Sequence, residues 1–165
     1  MEEQIGQFEA LFTQYSDVIF RHLYFKLGDR ERAKELTQEV FMRTWQYLSS
    51  GKTIEYEKAF LFRIARNLFI NEIRTDKQSS SLDTLTETTG YEPDTAEANP
   101  LEFSEEQELL HFLGQLEDNY REVLILRYID DMAVKDIAQM LEENETTISM
   151  RIKRATEKLK TLYHT

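Results

Sequence analysis

One stretch of the sequence carries aromatic, amide and guanidinium side chains at steps of three and four, a spacing that places them on one face of a helix. An aromatic ring can stack on an unpaired base, and amide or guanidinium groups can hydrogen-bond its edge. The alternative interpretation is the edge of a core with arginines extending into solvent. The face consists of Phe60, Arg63, Asn67, Asn71 and Arg74, beside a loop of Ser49, Ser50, Gly51 and Lys52.

A second face, earlier in the chain, has a composition that could bind a protein. It combines acidic and amide groups with one soft hydrophobic side chain, and it lies opposite the apolar stripe of its own predicted helix. An ordinary solvated helix face is the alternative. Its members are Glu35, Gln38, Glu39 and Met42.

A third set lies near the C-terminus, where two apolar-striped helices predicted at 133–141 and 145–162 are separated by only three or four residues. That spacing suits a helix-turn-helix, in which the second helix enters the DNA major groove. A plain helical hairpin with a charged face is the alternative. The exposed residues that would contact bases and phosphates are Thr146, Thr147, Ser149, Met150, Lys153 and Arg154.

Helices must position all three sets. The chain of 165 residues holds five Gly and two Pro, which favours long helices over a turn-rich β fold. Apolar periodicity predicts a first helix that ends at Gly28, a second helix capped by Asp29, and a third after the 49–53 loop. We therefore expect an all-α protein with an N-terminal domain of three to four helices at 1–74 and a C-terminal domain of four helices at 104–165.

The charge of the chain is unevenly distributed. The net charge is −11, and residues 75–108 contain ten acids against one base. With few large apolar residues, this composition predicts an acidic flexible linker at 75–103, followed by a capping box that begins at Ser104. The last helix is locally basic, because five Lys and Arg between Arg151 and Lys160 face only Glu157.

Several classes of protein are disfavoured. The chain has no cysteine, so disulfides and thiolate zinc sites are excluded. We see neither a signal peptide nor an apolar run near the roughly 18 residues of a membrane helix, so we expect a soluble cytoplasmic protein without membrane insertion. Glu108 and His111 have the Glu-x-x-His spacing of di-iron bundles, but the second copy that such a site needs is missing. We expect no enzymatic activity, no metal and no cofactor.

Four segments together resemble the extracytoplasmic-function (ECF) sigma factors, a group of bacterial transcription initiation factors in the sigma-70 family. Their order, spacing and intervening linker match the group over about residues 5–162. The segments are Leu-Thr-Gln-Glu-Val-Phe-Met-Arg-Thr-Trp at 36–45, Phe-Leu-Phe-Arg-Ile-Ala-Arg-Asn at 60–67, Tyr-Arg-Glu-Val-Leu-Ile-Leu-Arg-Tyr at 120–128 and Asp-Ile-Ala-Gln-Met-Leu at 136–141.

The resemblance implies a role for each set of residues. Residues 1–74 would be region 2, whose Glu35 to Met42 face grips the β′ clamp helices of core RNA polymerase. The Phe60 face and the 49–52 loop would melt the −10 element and hold a flipped base. Residues 104–165 would be region 4, which contacts the β flap and reads the −35 duplex. The implied partners are core polymerase, promoter DNA and, as a further partner, an anti-sigma factor.

The chain departs from the family pattern in its helix-turn-helix. The turn is Leu141-Glu-Glu-Asn144 where the family usually has Leu-Gly-Ile-Ser, and Ser149 and Met150 replace a common Lys or Arg followed by Ser. We therefore expect −35 recognition that is unusual or weak. The alternative function is a helix-turn-helix regulator, or a sigma-like protein that holds a partner without initiating transcription, but a simple regulator would not need the N-terminal block.

Overall fold

The computed structural model describes residues 1–80 and 105–164, with side chains described as far as Asp76 and again from Glu105. Within these ranges every regular element is helical, which confirms the predicted all-α fold. The elements are α1 (Glu2–Leu27), α2 (Arg30–Ser49), α3 (Glu57–Ser80), α4 (Glu105–Leu113), α5 (Asp118–Leu124) with a π-helical continuation (Ile125–Ile129), α6 (Val134–Leu141) and α7 (Glu145–Tyr163).

The described chain forms two compact units. One contains Met1–Leu23 together with α2 and α3, and the other contains Tyr24–Asp29 together with α4 to α7. Helix α3 continues past Arg74 into the predicted linker as far as Ser80, because no Gly or Pro interrupts residues 57–80. Residues 81–103 of that linker and the predicted cap Ser104 lie outside the described residues.

Buried apolar stripes of three helices form the core of the first unit. The stripe expected on α2 is buried throughout, at Ala33, Leu36, Val40, Phe41 and Leu48. Thr44 lies on the same face and is also buried. Its hydroxyl donates to the carbonyl of Val40 at 2.8 Å, so the polar atom is satisfied. The other fully buried apolar residues of this unit include Leu11 and Ile19 of α1 and Leu61, Phe62 and Ala65 of α3.

Helix α1 ends where the sequence predicts. Gly28 adopts a left-handed conformation with φ 72°, and its N–H donates to the carbonyl of Tyr24 at 2.8 Å. This is the usual helix-terminating arrangement, and it favours glycine because glycine has no Cβ to clash.

Leucine and isoleucine side chains fill the second unit, and a buried arginine supports its loop. Arg121 donates to the carbonyls of Leu113 and Leu116 at 2.9 Å each, which satisfies backbone groups where α4 ends. The apolar core comprises Leu110, Leu113, Leu116, Val123, Ile125, Leu126, Ile137, Ile148, Ile152 and Ala155.

Candidate polymerase and promoter interfaces

The predicted protein-binding residues of α2 lie on one outer face of the first unit. Glu35, Gln38 and Met42 are exposed, and Glu39 is half-buried. The guanidinium of Arg32 pairs with Glu35 and with Glu72 of α3, and the hydrogen bond to Glu72 is the main reason that the pKa of Arg32 is raised. Arg32 thus links Glu35 of α2 to α3 through two ion pairs.

Next to this face, α1 and α2 enclose an apolar groove of about 520 Å³ that the sequence analysis did not predict. Large apolar side chains remain open to solvent there, including Met42 at 55%, Phe12 at 49% and Ile5 at 41% exposure. The aromatic rings of Phe8 and Trp45 pack edge to face, with centroids 5.5 Å apart. An apolar groove beside a charged face is a typical surface for a partner helix.

The predicted base-binding residues of α3 also share one face. Arg63, Asn67, Asn71 and Arg74 are exposed, and Phe60 is half-buried at the start of the row. The side-chain oxygen of Asn71 accepts a hydrogen bond from Arg74 at 2.7 Å. An incoming base would have to compete with this contact, whereas Asn67 presents its amide one turn away.

Tyr47 connects this face to the 49–52 loop. Its ring lies 4.8 Å from the ring of Phe60, and the ammonium of Lys52 lies 5.2 Å from the Tyr47 centroid. The hydroxyl of Ser50 donates to the Tyr47 carbonyl at 2.7 Å, and Gly51 takes a φ of 90° that favours glycine. Sequence reasoning missed Tyr47, because α2 and α3 come together here only in the fold.

On α7 all six predicted DNA-contacting residues are exposed. Four of them, Thr146, Thr147, Met150 and Arg154, line a concavity of about 360 Å³, whereas Ser149 and Lys153 lie outside it. The remaining lining residues are Asn119, Tyr120 and Arg151. The site thus combines two guanidinium groups with hydroxyl and amide groups, which is the chemistry of phosphate and base-edge contacts.

The unusual turn between α6 and α7 is well formed. Glu142 takes the left-handed conformation, with φ 55° and ψ 44°, and the N–H of Glu143 donates to the Ala138 carbonyl at 2.9 Å. Asn144 caps α7, because its side-chain oxygen accepts from the N–H of Thr147 at 2.7 Å. The Glu143 carboxylate reaches forward to the guanidinium of Arg151, at 2.6 Å.

Comparison with known proteins assigns the family. Residues 11–79 match sigma-70 region 2, and residues 106–159 match sigma-70 region 4. The ECF RNA polymerase sigma factor SigW of Bacillus subtilis is 31% identical over 167 residues, which span 93% of this chain and 87% of SigW. This chain belongs to the ECF sigma factors. SigM of the same organism is 29% identical over 157 residues, which span 94% of this chain and 94% of SigM.

Solved structures share the fold of this sigma factor. The sigma factor RpoE of Bartonella quintana, solved in complex with the anti-sigma factor NepR, matches with a TM-score of 0.79 at 21% identity, over 96% of this chain and 97% of RpoE. CnrH, solved in complex with the cytosolic domain of CnrY, matches with a TM-score of 0.68 at 20% identity, over 95% and 87% of the two chains. These structures confirm the fold, and the family matches above confirm the resemblance inferred from the sequence.

The described part of this sigma factor contains neither a membrane-spanning helix nor a metal-binding cluster. None of its helices between residues 1–80 or 105–164 is long and apolar enough to cross a membrane. The same residues hold no cluster of three His, Asp or Glu side chains that could bind a metal. The two residues with Glu-x-x-His spacing have other contacts. Nε2 of His111 lies 2.9 Å from the Gln115 amide nitrogen, and the charge of Glu108 raises the pKa of Tyr163.

Proposed function

We propose that this sigma factor binds core RNA polymerase and directs initiation at promoters whose −35 duplex is read by α7 and whose −10 element is opened and held by α3. The observation that carries the proposal is that both family-matched units present exposed polar faces that their own cores do not use. In this proposal the protein is a non-enzymatic factor that works in the cytoplasm with polymerase.

The α2 face is proposed to grip the β′ clamp helices. Glu35, Gln38 and Met42 are exposed beside an apolar groove. This supports the proposal, because a bound partner helix buries its apolar face in such a groove and uses polar contacts to fix its register. RpoE was solved in complex with the anti-sigma factor NepR. An anti-sigma factor is therefore proposed as a further partner of this chain.

The α3 face and the 49–52 loop are proposed to bind the opened −10 element. Phe60 and Tyr47 offer neighbouring aromatic faces for a flipped base, and Lys52 adds a positive charge for the backbone. Asn67 can hydrogen-bond the edge of that base. The remaining residues assigned to this surface are Ser49, Ser50, Gly51, Arg63, Asn71 and Arg74.

The α7 concavity is proposed to read the −35 duplex. Thr146, Thr147, Met150 and Arg154 would contact DNA from inside it, and Ser149 and Lys153 from the exposed helix surface outside it. Arg151 joins this set on structural grounds. We assign region 2 to residues 1–74, the linker to 75–103 and region 4, which would also contact the β flap, to 104–165. The acidic linker is proposed to pass through the active-site cleft and the RNA exit channel of polymerase, where its negative charge takes the place of RNA.

Transcription in vitro with bacterial core polymerase and a randomised promoter library tests the proposal. The chain should recover templates that share two elements at −35 and −10, whereas core polymerase alone should not. Binding to DNA without any transcript would instead indicate a helix-turn-helix regulator. Capture of polymerase without a transcript would indicate a partner-binding protein without initiation activity.

A further inference from the structure

An ion pair joins the turn before α7 to the helix itself. Glu143 Oε2 is 2.6 Å from Arg151 Nη2, and the two side chains are 35% and 19% exposed. Arg151 also lines the α7 concavity with Thr146 and Arg154. A carboxylate from the turn thus holds a guanidinium inside the surface to which the −35 duplex is assigned.

We propose that Glu143 is a positioning residue for −35 recognition, which orients the Arg151 guanidinium toward DNA and cancels its charge. The proposal rests on the proposed −35 reading by α7. A guanidinium has five N–H donors in a planar fork, and the contact with Glu143 leaves others for DNA. Because the pair already holds the side chain, less rotamer freedom is lost when DNA binds.

The second effect of Glu143 is electrostatic. Non-specific DNA binding comes from cations that neutralise phosphates, and each neutralised phosphate steepens the salt dependence of affinity by about 0.9 in the log–log slope. A guanidinium paired with a carboxylate attracts phosphates weakly but keeps its directional hydrogen bonds. The pair therefore lowers affinity for all DNA while it preserves the contacts that distinguish one sequence from another.

Two substitutions separate orientation from charge. Glu143→Gln keeps an acceptor near Arg151 but removes the negative charge, so it should steepen the salt slope by about 0.9. When salt is lowered from 200 to 50 mM, the DNA affinity of this variant should therefore rise by a factor about 3.5 times larger than the factor for wild type. Glu143→Asp keeps the charge but shortens the side chain by one methylene, so it should leave the slope unchanged and reduce sequence preference. Glu142→Gln removes the adjacent charge as the matched control.

The measurement is fluorescence anisotropy of reconstituted holoenzyme with a double-stranded promoter recovered from the library, and with the same duplex carrying a scrambled −35 element. For Glu143→Gln the ratio of the two affinities should fall, because scrambled DNA gains most, whereas Glu142→Gln should keep the wild-type ratio. Thermal unfolding of each variant confirms that it is folded.

Two results would overturn the inference. One is an unchanged ratio of promoter affinity to scrambled-duplex affinity in both Glu143 variants. The ion pair would then only stabilise the turn against the helix. The other is an equal change of this ratio in Glu142→Gln, which would mean that the total charge of the turn, and not the Glu143–Arg151 pair, causes the effect. A wild-type holoenzyme that does not distinguish the two duplexes would instead overturn the proposed −35 reading itself, and the inference with it.

Discussion

Replacement of Asn144 by alanine should loosen the first turn of α7. The Asn144 oxygen accepts from the Thr147 N–H at 2.7 Å and so satisfies one of the donors that a helix start leaves unpaired. Loss of such a cap costs ~1 kcal/mol. Since that free energy equals a factor of about five in an equilibrium constant, amide exchange at Ile148, whose N–H donates to the Asn144 carbonyl at 3.2 Å, should become about fivefold faster as this turn opens more often.

The consequence for promoter binding follows from the position of the cap. Thr146 and Thr147 belong to the surface assigned to −35 DNA, so a frayed turn must be ordered again on binding. Holoenzyme affinity for the promoter should then fall by up to the same factor of about five.

Hydrogen exchange followed by mass spectrometry, at peptide resolution, reports the opening directly. Asn144→Asp is the matched control, because aspartate also caps a helix and its charge interacts favourably with the helix N-terminus. Exchange in the first turn should stay near wild type in this control. Unaltered exchange in the alanine variant, or equal acceleration in both, would refute the role assigned to the cap.

Three further predictions concern the first unit. Gln38→Ala combined with Glu39→Arg should abolish capture of core polymerase with an unchanged circular dichroism spectrum, because both residues lie on the outer face of α2; retained capture would contradict the assigned surface. Asn67→Ala should slow promoter opening, seen as weaker permanganate reactivity, while −35 duplex binding persists; normal reactivity would contradict its melting role. Phe62→Ala, at a fully buried site, should lower the free energy of unfolding by ~3–5 kcal/mol in urea titration. Ile70→Ala, 40% exposed, should cost much less, and equal losses would contradict the burial.

The helices were predictable because each carries its own signal. The α2 stripe repeats at helical steps and is buried as expected, and Gly28 ends α1 through a backbone conformation that favours glycine. The end of α3 was less predictable. Composition changes at Thr75, but helix propensity does not fall sharply there, so the helix continues to Ser80.

The site residues also divide into those that helical spacing predicts and those that it does not. Residues that share a face of one helix, such as Arg63 and Asn67, could be grouped from spacing alone. Tyr47 and Arg151 could not be, because their importance depends on contacts between elements distant in the sequence or across a turn. Tyr47 meets Phe60 of α3, and Arg151 meets Glu143 of the preceding turn. Periodicity describes a single helix and contains no information on such pairs.

The α7 surface carries little net positive charge. Between Glu142 and Lys160 there are five bases against four acids, so the turn offsets most of the positive charge of the helix. Glu143 engages Arg151, and Lys158 contacts Glu117 at 3.4 Å and lies over the ring of Tyr120. Because phosphate neutralisation supplies non-specific affinity, such a helix gains little from random DNA.

The weak charge has a consequence for how the proposed function would operate. If the α2 face holds this sigma factor on polymerase, then α7 and the α3 face meet the promoter at a high effective concentration rather than from free solution. Individually weak contacts then suffice, and those that depend on sequence contribute a larger share of the total. The chain alone should therefore bind promoter DNA poorly. When it is bound to polymerase, the directional hydrogen bonds of α7 should be strong enough to discriminate among promoters.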